Sequence, residues 1–303
     1  MSAPAFLYGA VPPQDRVCTG DRSAASQQRN AESDAAFVRR ALRAAATVSL
    51  GEDEFVRRAR RSGAMLEPRF DLAAAPGVVG YSVRWRDRYS RTGPSIPDNA
   101  LPPDLQLSEL RFGWGDDPSA QIAAVAEWSQ PRSHPPVARD TITMRPSWLW
   151  MRALTDAYNF QRSLLEYRPD EQQAWWWAAA RVSGVISLWS QRTEIELGPL
   201  ARAAEELSRF SYRSGSRCRP TRPRPASDLG HVALVLGHLQ SEDHMVEGLL
   251  WGQLIAAARA IARAYGGRGE AQSAVDLERD VVRPLTWARL AMGAGTGRTD
   301  GAS

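Results

Sequence analysis

Glu54-Phe55-Val56-Arg57-Arg58-Ala59-Arg60-Arg61-Ser62-Gly63 is the stretch on which the reading of this chain turns. Phe55, Ala59 and Ser62 recur at helical spacing, which predicts a helix whose one side faces a core. Arg57, Arg58, Arg60 and Arg61 fan out over the remaining surface. Just upstream, Ser49-Leu50-Gly51-Glu52 fits a capping box, with Ser49 as the cap and Glu52 reaching back to its amide. Gly63 supplies the left-handed residue that ends the helix. Between Phe55 and Phe70 there are five arginines, Arg69 included, and a single acid, Glu67. Such a surface is either a solvated helix face or a grip on phosphates, since helix-borne arginines beside strands commonly hold a nucleic-acid backbone.

Beyond Gly63, residues 64–70 and 78–85 predict two strands joined by a turn at Ala75-Pro76-Gly77. In the second strand Val79, Tyr81, Val83 and Trp85 alternate with Gly80, Ser82, Arg84 and Arg86, which sends the apolar groups to one face. Residues 87–103 are a Pro- and Gly-rich loop and 104–111 a short helical turn. Asp117-Pro118 opens a helix whose stripe is Ile122, Val125 and Ala126, with Trp128 near its end. Upstream, 34–47 suits a helix, and 1–30 reads as a flexible arm. The expectation for 31–130 is therefore a small α+β module, a helix followed by a short two-stranded hairpin.

The remainder predicts an antiparallel helical bundle, so the chain as a whole is expected to be mainly α. Trp150, Leu154, Tyr158, Gln161 and Leu165 form the first stripe, in a helix begun by Pro146. Asp170 with Gln173 resembles a capping pair before Trp175, Trp176 and Trp177, of which one or two are expected at an interface. Gly198-Pro199 starts a helix with Leu200, Ala203, Ala204, Leu207 and Phe210 on one side, and the first bundle part spans 146–212. Residues 213–227 read as a basic Pro-rich linker, with Arg213, Arg217, Arg219, Arg222 and Arg224 among prolines and no acid. It is either a solvated tether or an arm lying along phosphates. A long helical region runs from Asp228 to Tyr265, and a last helix over 271–290 is kinked at Pro284. These C-terminal helices occupy 228–292, and 293–303 is a disordered tail.

Composition removes several classes of function. All 38 Lys+Arg residues are arginine, and the formal charge is only +4 over 303 residues. The bias suits GC-rich coding; alternatively, arginine is used for its planar fork, which pairs with phosphate through two hydrogen bonds. Cys18 and Cys218 make no CxxC pair. His134, His231, His238 and His244 make no His-x-His pair, so neither a metal site nor a cofactor is expected. No nucleophile–base constellation is visible, and the expectation is a protein without enzyme activity. With no signal-peptide pattern and no run of about 18 apolar residues, the chain is expected to be cytoplasmic and to have no membrane contact. Its oligomeric state is open.

The string Glu54 to Gly63, followed by Glu67-Pro68-Arg69-Phe70, resembles the region just downstream of the nuclease domain in relaxases, the mobilisation proteins of actinobacterial plasmids. Val79-Gly80-Tyr81-Ser82-Val83, Asp104-Leu105-Gln106-Leu107-Ser108-Glu109-Leu110-Arg111 with Trp114, and Ala124-Val125-Ala126-Glu127-Trp128 extend the resemblance in order over about 50–130. The Gly- and Arg-containing approach usual before Leu105 is replaced here by Pro94-Ser95-Ile96-Pro97-Asp98-Asn99-Ala100. The relaxase's nucleophilic tyrosine and histidine cluster have no counterpart, so nicking does not carry over. What the resemblance implies is an accessory of conjugative DNA mobilisation, with DNA and a relaxase or other transfer protein as partners. The nucleic-acid-binding candidates are Arg57, Arg58, Arg60, Arg61, Arg69, Arg217, Arg219, Arg222 and Arg224. The alternative is a helical protein–protein adaptor without nucleic-acid contact.

Overall fold

The computed structural model describes residues 19–71, 77–85, 92–111, 114, 118–130, 147–212, 228–238 and 244–295. Helices dominate, with one small antiparallel sheet of order β1-β2-β3. Two hydrophobic cores form, one in the α+β module and one in the helical bundle. Helix α1 (Thr19–Val48) serves both. Its Val38, Leu42 and Ala45 enter the module core, and Val48 enters the bundle core. Residues 19–30 therefore belong to a helix rather than to a loose arm, and 1–18 lie outside the described residues.

In the module, α2 (Glu52–Arg61) packs on β1 (Ala64–Phe70), which pairs with β2 (Val78–Trp85) through Leu66 opposite Val83. Phe55, Val56 and Ala59 of α2 are fully buried. Gly63 has φ 99°, the left-handed residue that lets the helix turn into the strand. A third strand, β3 (Ile96–Pro97), adds to β2 where the sequence reads as loop, and the short α3 (Leu107–Leu110) follows. The pairing shifts between Arg69 and Phe70, and this resets the alternation at the start of β2. Val78 is consequently buried and Val79 is exposed, contrary to the simple period-two reading. The turn at 75–77 lies largely outside the described residues.

The capping box does not form. Ser49 ends α1 instead, its hydroxyl donating to the Ala45 carbonyl at 2.7 Å. Gly51 is the N-cap of α2, and Glu54 accepts from the Leu50 amide at 2.9 Å. Glu52 is freed to reach α4 (Pro118–Trp128), where it accepts from Trp128 Nε1 at 2.7 Å. In α4 the buried residues are Ala124, Glu127 and Trp128, and Ile122 is exposed. Of the expected stripe Ile122 and Ala126 therefore face outward and Val125 is half-buried, because the aromatic Trp128 and the small Ala124 fit against α2 and Tyr81. Tyr81 itself donates to the Leu105 carbonyl, and burial beside Asp98 and Asp104 pushes its phenol well above the usual range.

In the bundle, α5 (Ser147–Leu164) buries Trp150, Ala153, Ala157, Phe160 and Leu164. Tyr158 and Leu165, expected inside, are exposed; the two alanines allow close packing that bulkier side chains would prevent. Helix α6 (Gln172–Thr193) is the bundle's axis, buried nearly all round, with Trp175, Trp176 and Trp177 all inside. It starts after Glu171 without the expected Asp170–Gln173 cap. Helix α7 (Pro199–Ser208) keeps its predicted stripe. Its first amides, Leu200 and Ala201, donate to the carboxylate of Glu194 at 2.8 and 3.0 Å. A carboxylate there satisfies orphan donors and complements the helix dipole.

The long helical region after Asp228 divides into α8 (Gly230–His238) and α9 (His244–Gly267). The last helix continues past Pro284 as α10 (Ala271–Leu277), a π turn (Glu278–Val282) and α11 (Arg283–Gly295). A π turn is one of the usual causes of a helix irregularity, and proline cannot donate a backbone bond just after it. Residues 293–295 are thus helical rather than tail. Met245–Gly267 is long and apolar enough by composition to cross a membrane, contrary to the sequence reading, although half of its most apolar window is buried inside the bundle. The linker at 213–227 lies outside the described residues.

Arg43 joins the two cores. It is almost wholly buried and donates to Asp104 of the module at 2.8 Å and to Glu205 of α7. Arg39 reaches the same Glu205 at 2.9 Å. Burial opposes ionisation of Glu205, but Arg43 and Arg39 outweigh it and hold the carboxyl below the usual carboxylate range. A carboxyl with a lower folded than unfolded value, the latter about 4.3, stabilises fully above about pH 5 and loses that contribution as pH falls through the folded value. Glu205→Gln is expected to flatten the fall of stability below about pH 4.5 in urea titrations. An equally steep acid limb in the variant would show that other carboxylates carry it.

Candidate nucleic-acid interface

The four arginines of α2 do not share one environment. Arg57 meets Asp53 at 2.6 Å and Glu127 at 3.5 Å. Burial works against its charge, yet these two carboxylates outweigh it and hold the guanidinium above its ordinary range. Arg58 pairs with Glu54 at 2.6 Å. Both partners stand four residues ahead on the same helix, the spacing at which side chains meet.

Arg60 faces inward and is only 6 % exposed. It donates to the Glu127 carbonyl at 2.8 Å and to the Trp128 carbonyl at 3.4 Å, closing the C-terminus of α4. Burial lowers its pKa, and Glu127 offsets part of that. Arg60 thus braces α4 against α2, and the expectation that it faces phosphate does not match this position. Arg61 is exposed and has no ion pair among the described residues. Arg69 on β1 is 57 % exposed and lies 3.5 Å from Asp98. Arg217, Arg219, Arg222 and Arg224 lie outside the described residues.

An acidic ring therefore surrounds the basic helix. Glu52 holds Arg111 through two bonds of 2.7 and 2.8 Å, and Glu67 pairs with Arg84 across the strands. For Asp53 and Glu54 the signal lies in the sequence, a spacing of four residues from Arg57 and Arg58. Glu127 has no such signal, because it lies 67 residues beyond Arg60 and only the packing of α4 on α2 brings them together. What remains open to a ligand on this surface is Arg61, Arg69 and, at the edge, the partly exposed Arg57.

Elsewhere, His231 Nδ1 lies 3.0 Å from Asp156 Oδ2, an ordinary half-buried polar pair between α8 and α5. Among the described residues no group of three His, Cys, Asp or Glu side chains converges as a metal site requires. No family model, curated protein or solved structure matches the chain.

Proposed function

We propose that this chain is a non-catalytic accessory of conjugative DNA mobilisation that binds DNA through arginines at the surface of its α+β module. The observation that supports the reading is convergence. The segments that carry the relaxase resemblance are separated along the chain, yet they build one core. Phe55, Val56 and Ala59 meet Tyr81 and Val83, then Leu105, Leu107 and Leu110, then Ala124 and Trp128. Trp114 tilts against Phe55 with ring centroids 5.5 Å apart. Short motifs that assemble into a single unit are motifs that one fold requires together.

The contacts proposed are Arg61 and Arg69, with Arg217, Arg219, Arg222 and Arg224 as a further arm. Each phosphate contact releases counterions and steepens the fall of log affinity with log salt by about 0.9 on duplex. Arg61→Gln with Arg69→Gln is expected to flatten that slope by up to about 1.8. Changing Arg57, Arg58 and Arg60 as well should flatten it little further, because acids and carbonyls already hold them, and should cost stability through Arg60. Titration on duplex at two or more salt concentrations checks this. Absence of binding even at about 50 mM salt, where phosphate contacts are strongest, would favour the helical adaptor, the second reading. That reading is favoured by the exposed apolar side chains of α5 and α9.

A further inference from the structure

Helices α5 and α9 pack against each other. The end of α9 meets Pro169, just past the end of α5: a Cβ on Gly267 would stand 3.0 Å from the Pro169 ring. Two long helices in extended contact whose C-terminal ends coincide run in the same direction. Their outward faces therefore form one surface, about 27 Å long at 1.5 Å per residue of α5.

On α5 the exposed Trp148, Met151, Tyr158 and Arg162 share one side, with the exposed Arg152, Thr155 and Asn159 beside them. Spacings of three, seven and four residues keep the first four on one side of the helix. On α9 the exposed positions are Met245, Leu249, Arg259 and Arg263, again one stripe. Trp148 is 59 % exposed and Met245 71 %. Trp148, Met151, Met245 and Leu249 lie toward the starts of the two helices, and Arg162, Arg259 and Arg263 toward their ends.

The charge on this surface is uncompensated. Arg162, Arg259 and Arg263 have no ion pair or hydrogen bond among the described residues. The acids of the two helices are engaged elsewhere: Asp156 holds His231 at 3.0 Å, and Glu247 lies 3.7 Å from Arg192. A surface of Trp, Tyr, Met, Leu and Arg, with Thr155 and Asn159 among them and no exposed acid on either helix, has the aromatic and arginine anchors of a protein–protein interface. Methionine and leucine contribute nothing to a phosphate backbone. A second copy of the same surface would set arginine against arginine wherever the basic ends approached each other.

We infer that the α5/α9 face docks a partner protein through an acidic amphipathic helix, its apolar stripe on Trp148, Met151, Tyr158 and Leu249 and its carboxylates on Arg162, Arg259 and Arg263. This site is distinct from the module surface of the DNA-binding reading and stands independently of it. Helix-in-groove recognition uses anchors at this spacing. The arginine rim sets which sign of charge is accepted.

The test uses the full chain and two labelled 20-residue helical peptides with the same leucine stripe, one flanked by glutamates and one by lysines. Anisotropy is expected to show binding of the glutamate peptide at tens of micromolar, at least about tenfold tighter than the lysine peptide, as three rim pairs supply. Arg162→Glu with Arg259→Glu and Arg263→Glu should reverse the preference, and Tyr158→Ala should weaken both peptides. All four side chains are exposed, so these variants should fold; an unchanged circular dichroism melt confirms that. Equal affinity for the two peptides, or no binding up to about a millimolar, overturns the inference. So does a loss of oligonucleotide or anionic-vesicle binding in the triple variant without any effect on the peptides, which would assign the face to phosphate or lipid. The Arg61→Gln, Arg69→Gln variant should leave peptide binding unchanged, which separates this outcome from that of the DNA-binding reading.

Discussion

Arg43→Met is expected to lower stability by about 3–5 kcal/mol, the usual cost of removing one partner from a buried ion pair. The methionine fills much of the same volume, so the loss comes from charge. Asp104, its side chain 12 % exposed, would lose its cation, and Glu205, 26 % exposed, would keep only Arg39, across the joint between module and bundle. The partial exposure of Glu205 places the expected value toward the lower end of the range. Neutralising all three, as Arg43→Met with Asp104→Asn and Glu205→Gln, should recover most of the loss, because the penalty is an uncompensated charge and not a missing contact. Asp104 belongs to the module and Glu205 to α7. The single variant should therefore also separate one urea transition into two, read by far-UV circular dichroism and by tryptophan fluorescence. A variant that unfolds in one transition, less than 1 kcal/mol below the parent, would show that the joint depends on packing alone.

Gly184→Ala is expected to cost about 3 kcal/mol, at the upper end of overpacking penalties. Gly184 lies where α6 crosses α1. A Cβ there would stand 1.6 Å from Thr47 Oγ1 and 2.8 Å from Thr47 Cβ. The hydroxyl could rotate away, but the Cβ moves only if the backbone of α1 moves. Thr47→Ala should therefore rescue Gly184→Ala only in part. Thr47→Gly should rescue it further, less about 1 kcal/mol for a glycine near a helix end. Denaturant midpoints of the single and double variants test this, and full rescue by Thr47→Ala would place the clash on the hydroxyl. The same crossing is bonded from the side: Arg181 donates to the Thr47 carbonyl at 2.9 Å and to Asp228 at 2.7 Å.

The candidate interface was legible only where its partners are local. Arg57 and Arg58 have their carboxylates four residues upstream, a spacing present in the sequence. Arg60 resembled its neighbours until α4 was placed, because its role is to satisfy carbonyls 67 and 68 residues away. Nothing in the sequence couples the exposed arginines of α5 with Arg259 and Arg263, which stand on a helix far along the chain. Only the side-by-side packing of the two helices makes them neighbours.

Local chemistry alone determined the class of most segments, with residues 19–30 and β3 as exceptions. Period-two and helical spacings, Gly63, Pro118 and Gly198-Pro199 placed helices and strands close to where they occur, because those choices depend on residues within a turn or two. The tertiary structure alone decided which face of each helix is inside. In α4 and α5 the apolar residues cover more than one side, so periodicity permitted the stripe at Ile122 or at Tyr158 and Leu165. Close approach selected Ala124, Ala153 and Ala157 instead. A helix is buried on the face that lets its neighbours come nearest, and that face is set by the neighbours as much as by its own sequence.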